Sequence, residues 1–398
     1  MTERMTRGFV VTDREPRCPF DPSSRLAEMG RQEMPARVPM YEPRFGDADV
    51  LVLSRYADVR AALGDARLQY GHLPLADGSP RTYMPGFLPD FHGAEHTRLR
   101  RMIAGTFTPK RVRGLRPMAE RIISERLDTM EEAGPGVDLV GAYAVSVPSI
   151  VIGELLGVPS SMHREFHSIS AGVVNFANSP AEYFALLGKF GEYMTNLVEE
   201  VRRHPTEGLI SSLLRERPGG VSDQEVIGLS SALVVAGHET TASMIGVSAL
   251  ALMRQPEQLA VLLDESRSTG DAVEELLRYM SISGTFPRAA SEDLTIGTAR
   301  VKAGERVLVS PLTANRDPEL VRDPDRLDLT REAVAHMAFG FGSHQCPGQH
   351  LARLELELAL PALFRRFPGL RPAVPDEELV FHRDGPNVYS LQALPVVW

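Results

Sequence analysis

The chemistry of this chain centres on Cys346, one of two cysteines among 398 residues. It stands in "HMAFGFGSHQCPGQHLARLE", residues 336–355. Pro347 suits the first position of a helix, where its missing N–H would have no partner anyway, and "LARLELELALPALFRR" continues at helical spacing. A thiol at a helix N-terminus meets the positive end of the dipole and free amides, which favour the thiolate that ligates metals or attacks electrophiles. Gly340, Gly342 and Gly348 let the backbone come close to something flat or bulky. A buried structural cysteine behind a Gly-rich turn is the plainer alternative. A zinc site of His344, Cys346 and His350 lacks a fourth ligand and a common spacing. A dinucleotide site fails in "GFGSHQ", which lacks the third glycine and a preceding strand.

Two more stretches carry groups that are expensive unless used. "AGHETT" puts Glu239 and Thr240 inside an apolar helical run, where a carboxylate is costly without a partner and Gly237 weakens the helix by about 1 kcal/mol. A hydroxyl there can simply bond the carbonyl four residues back. "EELLR" places Glu275 and Arg278 three apart on one helical face, a pair worth about 0.2–0.5 kcal/mol when solvated. His96 and Arg100 share a face at i, i+4 in "HTRLR", and Arg288 follows the apolar "SISGTFP".

Helices must position most of these groups. Apolar residues recur at helical spacing from His96 to about Met130 and from His163 to Arg203. The longest helix opens at "VSDQEV", where Ser222 and Glu225 form a capping box, and runs to the break at Pro256. It is apolar on nearly all sides, hence buried, with "AGHETT" at its centre. "DVLVLSRYADVRAALGD" reads as a strand and then a helix capped by Ser54 and closed near Gly64. "DLTIGTARVKAGERVLVS" and the C-terminal "ELVFHRDGPNVYSLQALPVVW" read as short strands, with Asp384-Gly385 as a turn. The fold class is mainly α with small β-sheets, an α+β arrangement, and the absence of linkers and repeats predicts a single domain over 1–398.

Composition narrows the setting. Hydrophobic residues make up 43% and charged residues 24%, as in an ordinary globular protein. A net charge of -9 argues against nucleic acid as a partner. Two cysteines, with Cys18 in what reads as a mobile arm, "EPRCPFDP", fit a reducing compartment. The charged N-terminus has no apolar signal region, and no stretch is long enough to span a bilayer, so a cytoplasmic protein without a membrane partner is expected.

"FGFGSHQCPG", Phe339 to Gly348, resembles the haem-binding signature of the cytochrome P450 haem-thiolate monooxygenases, F-x-x-G-x-x-x-C-x-G. "LARLE" matches the continuation usual in soluble bacterial members. Gln345 and Pro347 flank the cysteine where that family more often has apolar residues. The resemblance implies that Cys346 is the metal ligand, holding the iron of haem b, with Phe339 beside the sulfur. It further implies that His96, Arg100, Arg288 and His344 clamp the propionates, and that Ala236 and Gly348 adjoin the macrocycle. "AGHETT" is similar to the family's oxygen-binding motif, which implies that Thr240 bonds bound dioxygen and Glu239 feeds it protons. "EELLR" matches the family's E-x-x-R; Glu275 and Arg278 then join Arg326 of "DPDRL" as a structural set.

By the same likeness the chain is a monomeric enzyme that inserts one atom of O2 into a C–H or C=C bond of a lipophilic small molecule. A polyketide, macrolide or terpenoid from antibiotic or other secondary metabolism is preferred. A xenobiotic-oxidising enzyme, a relative catalysing a reaction without oxygen insertion, and a haem-based sensor are the alternatives. Electrons from NAD(P)H would arrive through a ferredoxin reductase and ferredoxin, the latter docking on a basic patch of Arg98, Arg101, Lys110, Arg111 and Arg113. Substrate contacts carried over from the family fall on Tyr83, Asn175, Ala232, Val235, Thr285, Phe286, Val388 and Tyr389.

Overall fold

The long helix is the axis on which the rest is built. In this computed structural model, which describes residues 13–15, 18–42, 46–70, 83–173, 180–216, 220–382 and 388–398, it spans Asp223–Arg254. The expected capping box is present: the Glu225 N–H donates to Ser222 Oγ at 3.2 Å and the Ser222 N–H to the Glu225 carboxylate at 2.7 Å. Pro256 ends it and starts the next helix, Pro256–Leu263. Helices Ser146–Leu156, Thr269–Met280 and Gln349–Arg366 pack against its sides, so apolar residues all round it are buried. Those side chains form one large helical core.

The largest sheet lies beside this core. Its five strands run in the order Ala36–Glu42, Gly46–Leu53, Arg306–Val309, Phe286–Ala290 and Leu68–Gln69. Only Gly46–Leu53 with Arg306–Val309 is a parallel pair. The later strand-like stretch divides into Leu294–Ile296, Ala299–Val301 and Arg306–Val309, as its alternation predicts. Asp384 and Gly385 lie outside the described residues.

Two expectations about the N-terminal third need correction. Helix Tyr56–Gly64 is preceded by Arg55, and Ser54 does not cap it. The Ser54 hydroxyl donates instead to the Met29 carbonyl at 2.8 Å, while Asp317 accepts from the Tyr56 N–H at 2.8 Å. The segment around Cys18 is not a loose arm either. Strand Cys18–Pro22 pairs with Arg14–Glu15, and Phe20 and Arg14 are buried. Local composition suggests mobility there, but contacts with chain more than 250 residues away override it.

One junction is made of backbone alone. Gly86, with φ +79°, and Gly228 bring the segment ahead of helix Gly93–Ala104 onto the first turns of the long helix. A Cβ on Gly228 would overlap the Pro85 carbonyl, and one on Gly86 the Glu225 carbonyl.

Candidate active site

Cys346 faces a cavity walled on one side by the long helix, through Ala236, Gly237, Thr240, Thr241 and Met244. The cysteine loop, with Phe339, Gly340, His344, Cys346 and Gly348, forms another wall. Helix Gln349–Arg366 begins two residues later than Pro347 suggests, with Gly348 as its cap. The sulfur nevertheless meets the N–H groups of Gly348 and Gln349. Burial pushes the thiol pKa up, and those N–H groups with the guanidinium groups of Arg100 and Arg353 offset it only in part. Desolvation thus outweighs the dipole effect on which the sequence argument rested.

The loop is closed by the Cys346 N–H, which donates to the Phe339 carbonyl at 2.9 Å. Gly342 has φ +76°, and a Cβ there would overlap the Leu63 carbonyl, so the loop sits directly on helix Tyr56–Gly64. Phe339 is held from behind by Arg353, whose guanidinium lies 4.5 Å from the ring centroid. Arg353 in turn pairs with Glu274 at 3.0 Å, and Glu274 bonds His336 at 3.1 Å. Burial would raise the Glu274 pKa, but the bonds from His336 and Arg353 win and hold it at about 2. Sequence reasoning missed all three; the adjacent glutamates of "EELLR" were the available signal.

At one edge of the cavity basic groups converge. The His344 ring lies 4.1 Å from that of His96, tilted by 32°, and bonds His92 at 3.1 Å. Strand Phe286–Ala290 delivers Arg288, which is nearly inaccessible and donates to the Pro287 carbonyl at 2.9 Å. Burial lowers the Arg288 pKa to about 10. Burial, then the positive neighbours His96, Arg288, His92 and Arg100, take His344 down to about 3. Among the described residues no carboxylate pairs with His344, Arg100 or Arg288. Such a corner calls for an anion from outside the chain. His92 was not foreseen, because nothing in its local sequence points to His344.

Comparison with known proteins places the chain in a family. The cytochrome P450 family model matches residues 178–379. Cytochrome P450-SU2 of Streptomyces griseolus is 39% identical over 397 residues, covering 98% of this chain and 96% of that protein. The chain belongs to the cytochrome P450 family. Mycinamicin IV hydroxylase/epoxidase of Micromonospora griseorubida is 38% identical over 403 residues, covering 98% of this chain and 100% of that one. The crystal structure of CYP105P1 in complex with filipin I superposes with a TM-score of 0.87 at 38% identity, covering 97% of this chain and 98% of that one. The fold is the P450 fold and the enzyme class is monooxygenase.

Membership implies haem iron, and the residues present suit it. A thiol facing an apolar cavity, a wall of small residues at Ala236 and Gly237, and an edge of unmatched positive charge fit an iron-bearing macrocycle with two carboxylates. Phe339, His344, Cys346, Gly348, Ala236 and Arg288 line the cavity; His96 and Arg100 stand behind His344.

On the helix side polar atoms are less committed. The Thr240 hydroxyl donates to the Ala236 carbonyl at 2.7 Å, the plain back-bond that sequence allowed. Glu239 does not line the cavity; its carboxyl has a buried oxygen with no partner among the described residues, and burial raises its pKa to about 8. His238 beside it is fully buried, bonding the Val145 carbonyl at 3.1 Å, with burial lowering its pKa to about 4.

The structural set needs one change. Glu275 grips Arg278 through bonds of 2.7 and 2.9 Å, and Arg278 also donates to the carbonyls of Asn315 at 2.8 Å and Pro324 at 2.9 Å. Arg326, expected as the third member, gives only its carbonyl, at 3.3 Å from Arg278, and its side chain is exposed. Arg331 takes that place, 3.3 Å from Glu275 and anchored to the carbonyls of Arg322 at 2.7 Å and Asp323 at 3.2 Å. The loop turns left-handed at Asp323, φ 49°, and of its arginines Arg331 points inward while Arg322 and Arg326 are exposed.

Of the expected substrate contacts, Phe286 lines the cavity, alongside Ile282 and Ser283. Ala232, Thr285 and Tyr389 are buried outside its walls. Val235 and Val388 pack half-buried against the helical core, and the Tyr83 ring lies 6.1 Å from Phe91. Asn175 falls outside the described residues. Arg98 leaves the expected basic patch, since it is bound to Glu95 and Glu225. Arg101, Lys110, Arg111 and Arg113 remain exposed. Among the described residues no helix is long and apolar enough to cross a membrane.

Proposed function

We propose that the chain oxygenates a lipophilic natural product, a polyketide, macrolide or terpenoid, by hydroxylation or epoxidation, with Cys346 as the haem ligand. The observation that carries this reading is the Cys346 thiol facing a largely apolar cavity that has its positive groups gathered at one edge. Haem bound there supplies the activation of O2 and the transfer of one oxygen atom to carbon. The residues of the chain do the rest. His96, Arg100, Arg288 and His344 neutralise the propionates. Phe339 shields the sulfur, held by Arg353 and Glu274. Because the Thr240 proton is engaged with the Ala236 carbonyl, the oxygen lone pair is what Thr240 offers to a bound ligand. Glu239, with a pKa raised to about 8, carries a proton at neutral pH and can release it.

Support for the substrate class comes from relatives. Mycinamicin IV hydroxylase/epoxidase is named for a natural product, as is pentalenic acid synthase of Streptomyces avermitilis, and CYP105P1 was crystallised with filipin I. Ile152, Leu233, Met244, Ile282 and Phe286 give the cavity an apolar lining suited to such molecules. A ferredoxin fed from NAD(P)H is the proposed electron donor, docking near Lys110, Arg111 and Arg113 on the short helix Pro109–Arg113 that packs on the Cys346 helix. A single cytoplasmic domain acting as a monomer completes the reading.

The test is an optical titration of the purified ferric protein with macrolides, terpenoids and aromatic polyketides. A saturable blue shift of the Soret band with one class, followed by oxygenated product when ferredoxin and its reductase are added, is the expected result. No shift with any class from haem-loaded protein would overturn the substrate assignment. Absence of the thiolate-type CO-difference spectrum would overturn the ligand assignment.

A further inference from the structure

Arg14 is a buried cation with no function in the scheme above. Arg14 is 1% exposed, and among the described residues its guanidinium has carbonyl oxygens alone as hydrogen-bond partners: Phe20 at 3.2 Å, Met280 at 2.8 Å and Ser281 at 3.0 Å. Its Nε has no partner among them. The planar group lies 4.7 Å from the centroid of the Tyr389 ring, which stacks on Phe381 at 5.2 Å with an interplanar angle of 8°. Burial of a charge without a salt bridge to a carboxylate is costly, and it drives the Arg14 pKa down to about 10.

The position of these contacts suggests what the cost secures. Met280 and Ser281 immediately precede Ile282 and Ser283, which line the cavity, as does Phe286 further on. Tyr389 follows Val388, the bridge partner of Ser283, and the Tyr389 N–H donates to the Ile282 carbonyl at 2.8 Å. One guanidinium therefore grips the cavity-lining chain from behind through its carbonyls, and the ring face of Tyr389 on the segment bonded to that chain. The cavity-lining chain is also in a demanding shape. Ser281 has φ 38°, a left-handed conformation unusual outside glycine, held by its hydroxyl bond to the Arg278 carbonyl at 2.7 Å. Without Arg14 this turn has less to hold it, and Ile282 and Ser283 can relax toward or away from the cavity.

We propose that Arg14 is a positioning residue for ligand selectivity, fixing the Ile282–Phe286 wall of the cavity through Met280, Ser281 and Tyr389. This rests on the reading that the cavity holds haem and that ligand meets this wall. The strand pair at Arg14–Glu15 and Cys18–Pro22 is then part of the specificity apparatus, since it presents Arg14 to the wall.

Two probes separate wall from iron. Imidazole coordinates haem iron and is too small to lean on the wall, whereas 4-phenylimidazole adds a ring that must be accommodated beside it. Both are titrated optically into haem-loaded wild type, Arg14→Met, Arg14→Lys and Tyr389→Leu, below the melting temperature of each. The expected result is a change of about tenfold or more in the affinity ratio of the two probes for Arg14→Met, with imidazole affinity unchanged. Arg14→Lys should fall between, because an ammonium cannot serve the carbonyls and the ring face together. Tyr389→Leu should shift the ratio in the same direction, and it carries the comparison if Arg14→Met does not fold. An unchanged ratio, or equal loss for both probes, would overturn the proposal and leave Arg14 a purely structural brace. Ile282→Ala is the control for the underlying reading: if it too leaves the ratio unchanged, ligand does not meet this wall.

Discussion

Glu274 and Glu275 behind the thiol and Glu239 on the long helix are held on opposite plans. Behind Cys346 two acids are matched, Glu275 by Arg278 and Arg331 and Glu274 by His336 and Arg353, while Glu355, on the helix that follows the cysteine, keeps one oxygen without a partner among the described residues. On the long-helix side Glu239 and His238 keep buried polar atoms without partners among the described residues, and Thr240 bonds its own helix. A fully satisfied network holds a ligand in one geometry, whereas unmatched groups leave protonation states free to change. The contrast teaches where this fold places rigidity and where it leaves chemical freedom.

The comparison can be broken by substitution. The largest effect is expected from Cys346→Ala, which should reduce oxygenation to background and remove the thiolate signature from the CO-difference spectrum. Next, Glu275→Ala leaves Arg278 buried and unpaired, and should cost about 3–5 kcal/mol in denaturant unfolding along with haem retention. Glu239→Gln on the helix side should behave differently, lowering coupled turnover by about 10²-fold while leaving unfolding stability equal or higher. Should Glu239→Gln destabilise the protein as Glu275→Ala does, the contrast between these acids would not hold.

The Glu239 substitution also sharpens the comparison through pH. Because the folded-state pKa, about 8, lies above the ordinary 4.5, the native state binds this proton more tightly than the unfolded chain. Stability from this group is complete below pH 4.5 and is lost as pH rises toward 8. The Gln variant should flatten that decline in a series of urea titrations. The smallest effect is at the start of the same helix: Ser222→Ala removes the capping bond and should cost about 1 kcal/mol with no change in the haem spectrum.

What sequence revealed follows the range of the interactions. The Ser222 and Glu225 cap was legible because its partners are three residues apart. The placement of Cys346 and Thr240 at the cavity was legible because short motifs carry them, whereas Glu239 of the same motif does not line it. Arg331 was not, since a loop with three arginines, Arg322, Arg326 and Arg331, does not say which one points inward. Arg98 was read as part of a charged patch because its partner Glu225 lies 127 residues away. The burial of the Arg14 segment depends on contacts 266 and 267 residues distant, which no local pattern encodes.

The glycine junction between residues 86 and 228 has a consequence for how this enzyme can be studied. Alanine scanning asks what is lost when a side chain is removed, and here there is none to remove. The scan can only add bulk, so it would report Gly228 as intolerant without revealing that the contact joins two backbones. The alignment of helix Gly93–Ala104 with the long helix therefore has a determinant that loss-of-side-chain experiments do not register, and that laboratory evolution can alter only by parting the two segments.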